Sequence, residues 1–136
     1  MLPTDSKVRK GIPLYRGFVK IFPDAMAAVA QLTALSTEKH NPGGEIGWVK
    51  EKSTDELDAH LRHMIDDVQS PDPVARDDDG ALHATKMAWR TMANLQRMAD
   101  SGVDIYAALA DVQTNDGYLV TLDENWFPDK AILKRT

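Results

Sequence analysis

At 136 residues and 15.1 kDa the chain has room for one domain and little more. Hydrophobic residues at 43% and charged residues at 27% give an ordinary globular balance, which excludes a disordered or low-complexity chain. A net charge of -5 opposes generic nucleic-acid binding, and without cysteine any metal must be held by His, Asp and Glu.

The N-terminal Met1–Lys10 is polar and lacks the apolar stretch of a secretory signal, so the expected location is the cytoplasm. No apolar run nears the roughly 20 residues that cross a bilayer, and no membrane partner is expected. Residues Gly11–Ile21 mix Pro13, Tyr15, Gly17 and Phe18 without helical period and read as an extended arm. A first long helix is predicted from Pro23, through the Ala-rich run Ala25–Leu35, to a stop at Pro42-Gly43. In the second, Ser53 and Glu56 have capping-box spacing, and Leu57, Leu61, Met64, Ile65 and Val68 form an apolar face for the core.

The third predicted helix starts at Asp77-Asp78-Asp79, whose charge suits a helix N-terminus, and runs through Leu82, Trp89, Met92 and Leu95 to about Ser101-Gly102. A shorter fourth helix is expected over Asp104–Val112, then a turn at Asn115-Asp116-Gly117 and strand composition at Tyr118–Leu122. The expectation is an all-α helical bundle within a single domain, with an extended N-terminal arm and, over residues 100–136, a C-terminal extension suited to a short β-hairpin. Three amphipathic helices cover one another poorly in so small a chain, with Met87, Trp89 and Met98 as leftover apolar surface, so a homo-oligomer is expected.

Glu56, His60, His63 and Asp67 lie on one stripe of the second helix, at i, i+4, i+7 and i+11. Imidazole and carboxylate one turn apart can share a divalent ion, or can simply form a solvated flank. On the opposite flank Asp55, Asp58 and Arg62 fit either a metal-binding carboxylate pair or a surface ion pair. In the third helix His83, Lys86, Arg90, Asn94 and Arg97 share a face that suits a phosphate or faces solvent. The Asp77–Asp79 run lacks the spaced acids of a calcium loop and reads as helix capping. Lys39, His40, Asn41 and Trp48 surround Asn41-Pro42-Gly43-Gly44, which has neither Walker nor GxGxxG spacing; Asn41 and Trp48 suit a base, or Trp48 anchors the core.

Over about Arg9–Gln96 the chain resembles phage and prophage dATP/dGTP diphosphohydrolase N-terminal domains, relatives of the all-α MazG-like nucleotide pyrophosphohydrolases. The resemblance rests on Phe22-Pro23-Asp24-Ala25 with Val29-Ala30, on Lys39-His40-Asn41-Pro42-Gly43 with Trp48, and on Ser53-Thr54-Asp55-Glu56 with Asp58-Ala59 and Leu61-Arg62-His63. A third block is Asp77-Asp78-Asp79-Gly80 with His83, Lys86 and Ala88-Trp89-Arg90. It implies a phage-encoded enzyme in the host cytoplasm that splits a purine dNTP to dNMP and pyrophosphate with Mg²⁺ or Mn²⁺. Ala28 and Gln31 stand where the family's first ExxE pair would fall, while Asp55 and Asp58 have the spacing of its second acid pair. The other reading is thus a catalytically inactive nucleotide- or partner-binding protein of the same fold. For the enzyme, Glu38 and Asp58 are the expected metal ligands and His63 and His83 the groups for phosphate or proton transfer. Lys39 and Lys86 would neutralise phosphate, Asn41 and Trp48 would read the base, and His40 and Arg62 would complete the substrate-binding set.

Overall fold

Helices dominate the computed structural model, which describes residues 2–106 in full and the backbone of 111–113, 118–122 and 128–135. Two compact units are present: Phe22–Arg97, and Met1–Ile21 with Met98–Thr136. No single helix among the described residues is long and apolar enough to cross a membrane.

The N-terminal segment is coiled, where an extended arm was expected. Helix α1 (Ser6–Gly11) forms because the Asp5 carboxylate accepts the Val8 N–H at 2.9 Å, satisfying one of the helix's free donors. A π-helical turn over Tyr15–Val19 follows, with the Lys20 N–H donating to the Tyr15 carbonyl at 2.8 Å. Gly17 lets this turn close, since a Cβ there would stand 3.1 Å from the Pro13 ring.

In the Phe22–Arg97 unit, helix α2 (Pro23–His40) starts on Pro23 as expected, and Gly43 with φ +70° follows its end. Helix α3 (Glu56–Gln69) begins without the expected capping box: Ser53 Oγ donates to Glu56 Oε1 at 2.7 Å rather than to backbone, and Asp55 turns to Arg62. Helix α4 (His83–Asp100) begins later than predicted. The Asp77–Asp79 run is a turn closed by the Gly80 N–H on the Asp77 carbonyl at 2.8 Å, with Gly80 at φ +80°. An antiparallel bridge between Arg76 and Leu82 flanks it, which spends these backbone groups outside a helix.

The hydrophobic pattern of α3 does not face its neighbours. Leu57, Leu61, Met64, Ile65 and Val68 are exposed, Leu57 to 62% and Val68 to 79%, whereas Glu56 and Ala59 are each 3% exposed. On α4 Met92 and Leu95 are exposed and His83 and Ala93 buried. The two helices therefore meet through polar stripes about 120° around α3 from its apolar face. Mutual charge pairing, invisible to a periodicity argument, makes that orientation possible.

Helix α4 ends in a Schellman closure, with the Gly102 N–H on the Ala99 carbonyl, the Val103 N–H on the Met98 carbonyl, both at 3.1 Å, and Gly102 at φ +91°. The helix expected over Asp104–Val112 is not formed where described: Asp111–Gln113 is strand β1, paired antiparallel with β2 (Tyr118–Leu122), which pairs with β3 (Pro128–Arg135). Ladder pairing of Val112 with Val120 overrides the local helical composition. The predicted turn Asn115-Asp116-Gly117 lies outside the described residues.

Candidate functional site

The α3–α4 seam is built from ionisable groups that find partners in order along it. At one end Glu56 accepts from Ser53 at Oε1 and from Arg90 Nη1 at Oε2, 2.6 Å away, with Arg97 Nη2 3.6 Å from Oε1. Arg97 also donates to the Lys50 carbonyl and lies over the Trp48 ring, 5.0 Å from its centroid. In mid-seam His60 Nδ1 stands 3.2 Å from the Met87 carbonyl and 3.3 Å from Thr91 Oγ1. Glu56, His60 and His63, three of the four residues of that stripe, therefore form a helix–helix contact rather than a solvated flank. The face His83, Lys86, Arg90, Arg97 is its cationic counterpart rather than a solvent face.

At the other end His63 Nδ1 lies 3.2 Å from His83 Nδ1 and 3.9 Å from Asp77 Oδ2. His63 arrives from α3, His83 from the first residue of α4, and Asp77 from the preceding turn. Backbone bonds hold that turn: the His83 N–H donates to the Ala75 carbonyl and the Asp77 N–H to the Ala81 carbonyl. One ligand atom from each of the three residues lies within 4.8 Å of the others, the one such group of three among the described residues. His83 is buried, and Asp77 is the most exposed of the three.

Lys86 completes the cluster, its Nζ donating to Asp77 Oδ2 and Asp79 Oδ2, each at 2.6 Å. Hydrogen bonding from Lys86 holds both carboxylates below their ordinary range. Burial pulls the Lys86 ammonium down, but its two carboxylate partners outweigh that and raise it. Burial and the Lys86 charge push the His63 imidazole below its ordinary value, against the pull of Asp77, so at neutral pH its ring is neutral and can act as a ligand.

Of the expected site residues, His63, His83 and Lys86 come together here. Glu38 does not join them: Glu38 Oε2 accepts the Gly43 N–H at 3.2 Å and so serves the α2 exit loop. Asp58 is exposed on α3 and enters no group of three converging ligands among the described residues. Neither carboxylate is among the three ligand atoms that converge at His63, Asp77 and His83. Arg62 forms an exposed ion pair with Asp55 at 2.6 Å, which decides for the surface-pair reading of that flank. Lys39, His40 and Asn41 are exposed at the end of α2, where the Asn41 carbonyl accepts the Gly44 N–H at 2.9 Å. Trp48 packs edge-on to Trp89, centroids 5.4 Å apart, with Lys50 5.5 Å from its ring centre, as a packing anchor. Sequence reasoning missed Asp77 as a partner of the histidines, and no spacing rule could have found it, because a turn and not a helix carries it. No family model, curated protein or solved structure matches the chain.

Proposed function

We propose that the protein is a metal-dependent hydrolase of a purine dNTP, centred on His63, Asp77, His83 and Lys86. The observation that carries this reading is the contact of His63 with His83 at 3.2 Å beside Lys86, which joins two of the sequence blocks behind the nucleotide-hydrolase resemblance. In the reaction a water oxygen bonds to the α-phosphorus as the bond from that phosphorus to its bridging oxygen breaks. Pyrophosphate leaves and the displaced proton passes to the medium. A divalent ion supplies charge neutralisation for such chemistry. Lys86, beside Asp77 in the group, is the cation this reading assigns to the triphosphate. No step is assigned to Glu38 or Asp58.

The exposed Leu57, Leu61, Ile65 and Val68 of α3, with no large side chain fully buried among the described residues, favour a homo-oligomer that supplies the missing core. The test is the purified full chain incubated with each dNTP and Mg²⁺, Mn²⁺ or Zn²⁺, reading pyrophosphate and dNMP together. Release from dATP or dGTP is the expected result. Nucleotide binding without release refutes the hydrolase and leaves the non-catalytic reading, which the double engagement of Lys86 by Asp77 and Asp79 favours.

A further inference from the structure

We propose that His63, Asp77 and His83 form a mononuclear site for a borderline divalent ion of the Zn²⁺, Co²⁺ or Ni²⁺ class, and that the Lys86 ammonium is the cation this ion competes with. The inference goes beyond the hydrolase reading and is tested without nucleotide.

The geometry comes first. Two nitrogens each about 2.0–2.1 Å from a tetrahedral ion stand about 3.3 Å apart. The Nδ1 atoms of His63 and His83 are 3.2 Å apart, the separation that two nitrogens on one ion require, so binding asks the rings to turn their lone pairs towards the ion rather than to move together or apart. Asp77 Oδ2, 3.9 Å from His63 Nδ1 and within 4.8 Å of the His83 ligand atom, has to close by about half an ångström on the first and by at most about 1.5 Å on the second to reach the same ion, and it sits on a turn. Its other oxygen, Oδ1, is already oriented by the Asp78 N–H at 2.8 Å, the kind of outer contact that aims a ligating carboxylate. Three protein ligands leave a further coordination position on a tetrahedral ion.

The chemistry of the donors selects the ion. Imidazole suits Zn²⁺, Co²⁺ and Ni²⁺, whereas Mg²⁺ takes oxygen ligands and dehydrates reluctantly. A set of two imidazoles and one carboxylate therefore ranks Mg²⁺ last. Lys86 supplies the competition, because its Nζ is 2.6 Å from the same Asp77 Oδ2 the ion would use. Asp79, also at 2.6 Å, keeps hold of the ammonium when Asp77 turns to the ion, so loading changes which carboxylate Lys86 serves without expelling it.

The experiment is titration of the chelator-stripped full chain with Zn²⁺, Co²⁺ and Mg²⁺, by calorimetry and by the visible absorption of Co²⁺. One equivalent of Zn²⁺ or Co²⁺ is expected, with Mg²⁺ far weaker. His63→Gln and His83→Gln should each weaken Zn²⁺ binding at least about a hundredfold and Asp77→Asn about tenfold, while Asp58→Asn leaves it unchanged. Lys86→Met should tighten binding about tenfold, because a unit charge next to the ion is removed. Circular dichroism establishes folding for each variant, and the Co²⁺ spectrum of the unsubstituted chain reports imidazole ligation even if a histidine variant unfolds. No binding by the unsubstituted chain, Mg²⁺ as tight as Zn²⁺, or loss of the site with Asp58→Asn but not Asp77→Asn overturns the ligand assignment. Unchanged or weaker binding by Lys86→Met overturns the competition.

Discussion

Replacing Arg90 by Met should be among the most damaging single changes in the α3–α4 seam. Glu56 is 3% exposed and receives its charge-assisted hydrogen bond from Arg90 at 2.6 Å, so the substitution leaves a buried carboxylate with Ser53 and a distant Arg97. Breaking a buried pair by removing one partner costs about 3–5 kcal/mol. Two features lower that here: the Arg90 side chain is 26% exposed, and Arg97 at 3.6 Å can move in. A loss of about 2–3 kcal/mol is therefore expected for Arg90→Met. The double variant Glu56→Met with Arg90→Met removes both charges and should recover most of it, since a buried pair exchanged for apolar side chains is close to neutral. The assay is urea unfolding followed by circular dichroism at one fixed protein concentration, closed as a double-mutant cycle. An Arg90→Met change within about 0.5 kcal/mol, or a double variant worse than either single one, would refute the claim that this pair holds the seam.

Three further outcomes follow from single contacts. Thr33→Val removes the acceptor of the Trp89 Nε1–H, 3.0 Å away, and should cost about 1 kcal/mol in urea unfolding while Thr33→Ser costs less. Gly102→Ala, at φ +91°, places a Cβ in the left-handed region and should cost about 1 kcal/mol with the urea m-value unchanged. The depressed pKa of His63 means that the unfolded chain binds its proton first, so metal-free protein should lose stability as the pH falls from the ordinary 6.5 towards the folded value. The urea midpoint followed from about pH 8 to about pH 5 should show this, and His63→Gln should flatten it; a midpoint that rises on acidification would contradict the sign.

The sequence alone carried the helices whose ends are local chemistry. Pro23 at a helix start, the Pro42-Gly43 stop and Gly102 as a C-terminal cap need only backbone geometry, and each stands where that geometry puts it. The helix composition of α3 and α4 and the shared cationic face of Lys86, Arg90 and Arg97 were equally legible, because helical spacing is a property of one segment. Segment-local reasoning failed where the partner lay elsewhere, as where Val112 is drawn into a ladder with Val120.

Tertiary structure alone decided which face of α3 turns to α4. Periodicity assigns the Leu57–Val68 stripe to the core because burying apolar surface is favourable wherever a partner exists. Yet Glu56, His60 and His63 face α4, because Arg90, the Met87 carbonyl and His83 there offer each polar group a partner, and a satisfied polar group can be buried. The same holds for the candidate metal ligands. Asp77 lies 14 residues from His63 and reaches it only through a turn closed by Gly80 and the Arg76–Leu82 bridge, so proximity arises from backbone path and not from spacing. Of the acids at a suggestive spacing, Asp55 is taken by Arg62, seven residues on along the same face, and Asp58 enters no group of three converging ligands among the described residues.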